Sequence, residues 1–317
     1  MAEAQGSEAA ASVVNLTVNF GKVQALSNIN LEIKKGEIFG IVGTNGAGKS
    51  TLIDVLSGIV KPSSGTIRVL GLDPIHQAAT LRRIIGVISQ ETSVEERLTA
   101  EENLRYFGRL LDVPSDILGE RVDGLIRLMG LLERKDDPVE TYSVGMKKKV
   151  HFACSMVHSP QLIMVDEVTA GFDPRTKREV EKMILEMNRQ RGITCLLTTH
   201  DLSDASRLCD RLAVLHRGRV VSQGTWGEIS SATQAKLLIK GVPKAEEGRL
   251  AHLVSPRKII STVGGVQVLV QSRSDAFAVA SLLEANGVEA YSISFEAPPD
   301  EVFDVLTQDK EGKKIVS

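Results

Sequence analysis

Residues 43–50 read GTNGAGKS and match G-x-x-x-x-G-K-[ST], the pattern of a phosphate-binding loop. The apolar run EIFGIV precedes the loop and apolar residues spaced three and four apart follow it, so we expect a strand before the loop and a helix after it. Glycines let successive backbone N–H groups point at phosphate oxygens, and the N-terminus of the helix adds a partial positive charge. The sequence therefore predicts a nucleotide site. Its loop residues are Gly43, Thr44, Asn45, Gly46, Ala47, Gly48, Lys49, Ser50 and Thr51.

Two adjacent acids end another apolar run, because residues 162–167 read LIMVDE. A buried strand that ends there can bring both acids close to the bound phosphates. Lys49 can then reach the β- and γ-phosphates, while the Ser50 hydroxyl and Asp166 suit Mg²⁺. Glu167 suits polarisation of the attacking water. Acids often end strands for structural reasons alone, and the upstream phosphate loop is what makes this pair a predicted catalytic site.

Length and composition indicate the class of protein. The chain has 317 residues, of which 42% are hydrophobic and 25% charged, as is typical of a globular protein with a sizeable core. Its net charge of −2 gives no support for nucleic-acid binding, and we expect no nucleic-acid partner. No apolar run reaches the roughly 18 residues of a membrane span, and the N-terminus has no secretory signal. We expect a soluble cytosolic protein in which Cys154, Cys195 and Cys209 are reduced packing residues.

Alternating strand and helix patterns predict an α/β fold with a largely parallel sheet. Residues 99–157 have mainly helical spacing, and strands alternate with helices further along the chain. We expect a disordered N-terminus at 1–11, a nucleotide-binding domain at 12–230 and a small α+β accessory domain at 231–317.

The ordered motifs GTNGAGKST, Gln90, YSVGM, LIMVDE, FDP and TTHD resemble the ATP-binding subunit of an ABC transporter over roughly residues 12–230. The resemblance implies a P-loop NTPase cassette with an N-terminal antiparallel β subdomain, a mainly parallel core sheet and a helical subdomain at about 99–157. It implies ATP and Mg²⁺ as cofactors, and hydrolysis that powers a separate integral membrane permease subunit at the cytoplasmic face of the membrane. In that family two cassettes dimerise head to tail, so a second cassette, identical or different, is the other implied partner.

Three residues match family positions on the nucleotide side, and with Glu167 they complete the implied site. Phe20 in NFGK matches the aromatic residue that stacks on adenine, with a core strand residue as the alternative. Gln90 in ISQET matches the glutamine that senses Mg²⁺ and the attacking water, and otherwise it would be a solvated turn residue. His200 in TTHD matches the switch histidine that contacts the γ-phosphate, whereas an isolated histidine after a strand is usually a surface group.

Further residues match family positions at the dimer interface. Ser143 and Gly145 match the signature motif, which presents a hydroxyl, a backbone N–H and a helix dipole to the γ-phosphate bound by the opposing cassette. A bare S-x-G pattern is otherwise an ordinary helix cap. Asp173 in GFDP matches the D-loop residue of the interface, and it can also cap the helix that begins at Pro174.

The sequence departs from the family pattern at a few positions. The usual signature Leu-Ser-Gly-Gly-Gln reads YSVGM at 142–146, so a β-branched Val144 replaces the first glycine. Its methyl groups either face the helical insert or strain closure against the opposing phosphate. Val168 follows the catalytic acid in place of the common proline, and Phe172 replaces the usual D-loop leucine. The acids and His200 are intact, so we expect ATP hydrolysis.

The remaining sequence favours one transport direction and leaves other functions open. The C-terminal unit, which ends in APPDEVFDVLTQD, resembles the accessory tail of daunorubicin-resistance-type ABC subunits and favours an exporter. A non-transport ABC ATPase would usually carry a long coiled coil or two cassettes joined by a basic linker. A P-loop GTPase would carry an N-K-x-D motif, which the sequence lacks. A weakly hydrolysing subunit that regulates a partner is the third alternative.

Overall fold

The computed structural model divides into two compact units, Met1–Gln223 and Gly224–Ser317. The structure describes residues 9–89, 93–167, 174–230, 235–240, 242, 246–262, 265–270, 273–288, 292–296 and 299–307. Within these ranges no helix combines the length and the apolar character needed to cross a membrane.

Strands form where apolar residues alternate or run together between turn residues. In chain order they are β1 (Ala9–Phe20), β2 (Val23–Lys34), β3 (Ile38–Val42), β4 (Ser64–Val69), β5 (Ile85–Ile88), β6 (Leu162–Asp166), β7 (Thr194–Thr199), β8 (Arg211–His216), β9 (Arg219–Gly224), β10 (Ala235–Lys240), β11 (Ile259–Thr262), β12 (Gly265–Val270) and β13 (Ser292–Glu296).

Helices occupy the segments with apolar residues three and four apart. In chain order they are α1 (Lys49–Leu56), α2 (Ala78–Arg82), α3 (Ala100–Leu110), α4 (Ser115–Leu128), α5 (Val144–Cys154), α6 (Pro174–Arg191), α7 (Leu202–Leu208), α8 (Trp226–Ser230), α9 (Glu247–Val254), α10 (Arg273–Ala285) and α11 (Pro299–Thr307). Two short 3₁₀ turns lie at Leu132–Arg134 and Val139–Thr141.

The described strands form three sheets. An antiparallel sheet has the order β2-β1-β4, and a larger sheet has the order β5-β6-β7-β3-β8-β9. In the larger sheet, the pairs from β5 through β8 are parallel. The third sheet, β11-β12-β10-β13, is antiparallel and belongs to the second unit. The predicted α/β fold, with a mainly parallel core sheet and an antiparallel β subdomain, is confirmed.

The order of the central strands determines where the site forms. β6, β7 and β3 are neighbours, with Asp166 in register with Thr198 and Val42 in register with Thr199. Because parallel strands end at the same edge of a sheet, the segments that follow these three strands start side by side. Three motifs that are far apart in the sequence therefore meet at one edge.

The helical region between β5 and β6 begins with a reciprocal capping box. The Thr99 hydroxyl accepts the Glu102 N–H at 3.1 Å, and the Glu102 carboxylate accepts the Thr99 N–H at 2.9 Å. Such a box satisfies two otherwise unpaired donors at the start of a helix. Helices α3, α4 and α5 lie within the predicted helical subdomain at about 99–157.

The three cysteines are free, as predicted. Burial raises the pKa of the Cys154 thiol, and it raises the pKa of Cys195 and of Cys209 to about 12. Thiols with raised pKa values carry little thiolate at neutral pH and are poor nucleophiles. They act as packing residues of the first unit.

The second unit has a core of its own. Ile239 of β10 and Val266 and Val268 of β12 pack in one cluster with Leu250 of α9 and Val279 of α10. These residues are fully buried. Helices therefore cover one face of the antiparallel sheet, which gives the small α+β unit that the sequence predicts.

Two predicted boundaries need correction. Residues 9–11, expected to be disordered, belong to β1, where Ala10 and Ala11 are buried and the strand pairs with β2. The division between units falls between Gln223 and Gly224 rather than after residue 230. Helix α8 contacts α11 and so groups with the second unit. Serine-rich residues mark a linker in the sequence, whereas packing decides to which unit a short helix belongs.

Candidate active site

The phosphate loop connects β3 to α1, and its shape depends on two glycines. The Gly43 N–H donates to the Thr199 carbonyl at 3.2 Å, and a Cβ at position 43 would lie 2.4 Å from the carbonyl oxygen of Leu215. Gly48 precedes α1 with a φ of 107°, and a Cβ there would lie 2.7 Å from Cδ2 of Leu26. Close approach requires glycine at both positions, and the left-handed backbone requires it again at Gly48.

The middle of the loop is held by its backbone. The Ala47 N–H donates to the Thr44 carbonyl at 3.1 Å, and the Ala47 carbonyl accepts the Gly218 N–H at 2.9 Å. The first N–H groups of a helix have no acceptor within the helix, so the start of α1 offers donors to a phosphate. The exposed loop residues are Thr44, Asn45, Gly46 and Ser50.

Lys49 holds its charge inside the curve of the loop. Its Nζ donates to the carbonyl oxygens of Gly43 at 2.7 Å and Thr44 at 3.1 Å. The same Nζ lies 2.8 Å from Oε1 of Glu167, and the two side chains are only 5% and 10% exposed. The buried ammonium is thus fixed between the loop and the carboxylate.

The two acids at the end of β6 occupy different positions. Asp166 is buried, and its Oδ1 accepts a hydrogen bond from the Thr198 hydroxyl at 2.5 Å. Glu167 follows with a φ of 48°, in the left-handed region, and its N–H donates to the same hydroxyl at 3.1 Å. Burial, together with the charge of Asp166, raises the pKa of Asp54 on α1. The Asp166 carboxylate therefore contributes to raising the pKa of Asp54 on α1.

His200 follows β7 and lies beside Glu167. Its Nδ1 is 3.7 Å from Oε2 of Glu167, and the imidazole is largely exposed. A histidine in this position can reach a group bound at the mouth of the loop. The structure therefore brings together Lys49, Asp166, Glu167 and His200 as the sequence predicts.

A cavity of about 600 Å³ opens in front of Lys49 and Glu167, whereas Asp166 and His200 lie outside its lining. Its chemistry fits a nucleotide with Mg²⁺, because a helix N-terminus and a lysine face it, and the Ser50 hydroxyl and acid oxygens are ligands that Mg²⁺ prefers. Several residues that line the cavity lie outside the sequence motifs. Two of them, Arg217 and Gly218, belong to the turn HRG that precedes an apolar strand. The residues lining this cavity are Val23, Gln24, Ala25, Asn45, Gly46, Gly48, Lys49, Ser50, Thr51, Glu167, Arg217 and Gly218.

Phe20 and the signature residues lie outside that lining. Phe20 ends β1 and is half exposed, opposite Val23, which does line the cavity. Ser143 caps α5, since its Oγ accepts the Met146 N–H at 3.3 Å. Val144 is the first residue of that helix and is 69% exposed, so its side chain faces solvent rather than the helical insert. Gly145 is half-buried in the same turn.

Two predicted site residues, Gln90 and Asp173, lie outside the described part of the chain. The departures at Val168 and Phe172 also fall outside it. Their assignments stay predictions.

The family model described as ABC transporter matches residues 26–170, which include the phosphate loop, the signature and both acids. A daunorubicin resistance ATP-binding protein of Streptomyces coeruleorubidus is 33% identical over 297 residues, covering 92% of this chain and 93% of the relative. The chain belongs to the ABC transporter family of ATP-binding proteins.

Other relatives are named for drug resistance or for methionine import. A daunorubicin/doxorubicin resistance ATP-binding protein of Streptomyces peucetius is 39% identical over 219 residues, covering 69% of this chain and 66% of the relative. A methionine import ATP-binding protein of Geobacillus kaustophilus is 38% identical over 242 residues, covering 74% of this chain and 71% of the relative. Drug-resistance and methionine-import ATP-binding proteins are therefore both similar to this chain.

Solved structures agree with the family. The protein named cbiO1 from Clostridium perfringens, described as part of the ABC transporter complex cbiONQ, matches with a TM-score of 0.65 and 33% identity, covering 70% of this chain and 91% of that chain. A dimeric ATP-binding cassette in a post-hydrolysis state with ADP and phosphate matches with a TM-score of 0.60 and 25% identity. The match covers 68% of this chain and 98% of that chain. The chain is thus an ABC-type ATPase that powers transport and binds ATP with Mg²⁺.

Proposed function

We propose that Glu167 is the catalytic base of ATP hydrolysis, and that Lys49, Asp166 and His200 complete its half of the active site. The observation that carries this proposal is the position of Glu167, which lies 2.8 Å from Lys49 Nζ and 3.7 Å from His200 Nδ1. The carboxylate therefore lies between the group that binds phosphate and the group that can sense it.

Each side chain has a separate task in this proposal. The Lys49 ammonium binds the β- and γ-phosphates, and Ser50 and Asp166 hold the metal. When bound, Mg²⁺ neutralises charge on the phosphate oxygens. A γ-phosphate competes with Glu167 for Lys49, so the Glu167 carboxylate becomes free to accept a proton from the attacking water. His200 donates a hydrogen bond to the γ-phosphate.

The other half of the site comes from a second cassette. Ser143 and Gly145 would contact the γ-phosphate bound by the opposing subunit, and Asp173 would lie at the interface. On the nucleotide side, in the same half as Glu167, Phe20 would stack on adenine, and Gln90 would sense Mg²⁺ and water. These roles follow the family resemblance, and the dimeric state of a similar cassette supports the pairing.

The membrane partner is an integral permease subunit that holds this ATPase at the cytoplasmic face of the membrane. A similar protein, cbiO1, is part of a transporter complex, which supports such an assembly. Export is the proposed direction, because the daunorubicin resistance relative matches 92% of this chain and so includes most of both units. The methionine import relative covers 74% of this chain.

One experiment tests both the assembly and the direction. The chain is purified from membranes, and the polytopic protein that accompanies it is identified and reconstituted with it. In inside-out vesicles an exporter accumulates an anthracycline such as daunorubicin when ATP and Mg²⁺ are added outside, and the Glu167→Gln variant does not. Efflux from such vesicles instead of accumulation would show an importer.

A weakly hydrolysing regulatory subunit is a second candidate, and Val144 is the observation that favours it. Its isopropyl group is exposed at the start of the signature helix, where the opposing phosphate would approach. In that case a different cassette with an unaltered signature would complete the more active site of a heterodimer.

A further inference from the structure

Thr198 lies in the middle of the candidate site, although the motifs give it no role. It is the penultimate residue of β7, the strand that lies between β6 and β3 in the sheet. Thr198 is only 4% exposed. Its strand partners in register are Asp166 on one side and Ile41 on the other. A buried hydroxyl needs hydrogen-bond partners, and those of Thr198 are informative.

The Thr198 hydroxyl donates one hydrogen bond and accepts another, and its two partners belong to the two acids. It donates to Oδ1 of Asp166 at 2.5 Å and accepts the backbone N–H of Glu167 at 3.1 Å. A hydroxyl has one donor and two acceptor lone pairs, so a single oxygen connects the side chain of one acid to the backbone of the next. Hydrogen bonds to an ionised carboxylate are short and strong.

The second bond holds an unusual backbone conformation. Glu167 has a φ of 48°, a left-handed conformation that costs an L-residue free energy. This turn directs the Glu167 side chain to Lys49, where Oε1 lies 2.8 Å from Nζ. Because the N–H of Glu167 lies just beyond the end of β6, the Thr198 hydroxyl supplies its acceptor.

We propose that Thr198 is a positioning residue that fixes Asp166 and Glu167 relative to one another, so that the metal side and the base side of the site keep one arrangement. This inference rests on the roles proposed above for the two acids. Asp166 holds the metal, and rotation of its carboxylate would weaken Mg²⁺ binding. A relaxed backbone at Glu167 would move the base away from the phosphate.

The test compares Thr198→Val, which keeps the shape and removes the hydroxyl, with Thr198→Ser, which keeps the hydroxyl. Thr194→Val is the matched control, because Thr194 lies on the same strand, is equally buried and accepts the Gly36 N–H at 2.9 Å, away from the acids. Equilibrium ATP binding is measured with Mg²⁺ and with EDTA, and phosphate release is measured over a Mg²⁺ series. Thr198→Ala is a second hydroxyl-free variant in case valine prevents folding.

We expect Thr198→Val to lose about tenfold or more in turnover, because it removes a charge-assisted hydrogen bond. The enhancement of ATP binding by Mg²⁺ falls about fivefold, while binding in EDTA stays within about twofold of wild type. Thr198→Ser recovers most of both quantities, and Thr194→Val matches wild type. A structural effect alone would alter binding with and without Mg²⁺ alike.

Two results overturn the inference. If Thr198→Val matches Thr194→Val in turnover and in Mg²⁺-dependent binding, or if Thr198→Ser fails to recover them, Thr198 does not position the acids. Undiminished hydrolysis by Glu167→Gln would instead overturn the proposed function, and this inference with it. A normal loss in Glu167→Gln beside an unaffected Thr198→Val overturns this inference alone.

Discussion

The two units contain different kinds of sheet, and the described candidate site residues gather at one edge of the sheet in the first unit. In the first unit, parallel β6, β7 and β3 end at one edge. Glu167 and His200 directly follow β6 and β7, and Lys49 follows β3 after the phosphate loop. In the second unit, antiparallel β11, β12, β10 and β13 end at alternating edges. Its described ion pairs are separate, namely Arg257 with Asp275 and Arg249 with Glu246.

Strand direction explains the contrast. A parallel sheet places every strand-to-helix segment at one edge, where helix N-termini and strand-end side chains converge. An antiparallel sheet sends successive connections to opposite edges. The described residues of the candidate active site therefore lie in the first unit.

The largest expected effect tests catalysis at the parallel edge. Glu167→Gln removes the proposed base but keeps the size of the side chain, so turnover should fall about 100-fold or more. ATP should remain bound, and a dimer should accumulate. Phosphate release, retained nucleotide and light scattering measure the three effects. Glu186→Gln, a half-buried acid on α6 that pairs with Lys182 away from the site, is the control and should hydrolyse ATP normally, whereas normal turnover in Glu167→Gln would contradict the assignment.

The next effect separates nucleotide binding from chemistry at the same edge. Lys49→Ala removes the charge that faces the phosphates, so ATP affinity should weaken by about ten- to 100-fold, the loss expected for hydrogen bonds to a charged group. Equilibrium binding of ATP measures the change. Lys182→Ala on the exposed face of α6 is the matched control. Unaltered affinity in Lys49→Ala would show that the cavity does not bind phosphate as proposed.

A smaller effect is expected at the signature helix. Val144→Gly removes two methyl groups and restores backbone freedom at an exposed position. Turnover should rise about two- to threefold if valine strains closure modestly. Val144→Ala shortens the side chain without giving glycine's freedom, so it separates steric from backbone strain. Phosphate release is measured for the purified chain and again with its membrane partner. An unchanged or lower rate in Val144→Gly would remove the argument for an asymmetric pair.

The smallest effect tests the comparison itself. A chain shortened to residues 1–223, the first unit, should bind ATP within about twofold of the full chain, because the residues lining the cavity belong to the first unit and compact units fold separately. Transport with the permease should be disturbed instead. Circular dichroism confirms folding, and calorimetry measures binding. A folded shortened chain that cannot bind ATP would show that the second unit contributes to the site.

Much of the fold and the site could be predicted from local patterns. The phosphate loop, the paired acids and TTHD are short motifs, and their side chains meet because parallel strands end together. The boundary between the two units is harder to predict, because α8 joins the second unit by contacts with α11. Residues 9–11 are alanines at the end of a stretch that looks like a disordered lead-in, yet they extend β1 because β2 and β4 supply partners.

Local sequence is enough to predict the phosphate loop, because Gly43, Gly48 and Lys49 lie in one contiguous segment whose backbone geometry is local. Which residues lie beside that loop depends on the tertiary structure. Thr198 becomes important only because β7 lies beside β6 in a register that sets its hydroxyl against Asp166 and the Glu167 N–H. Strand order and register depend on the packing of the whole sheet, so a residue defined by its neighbours across strands has no local signature.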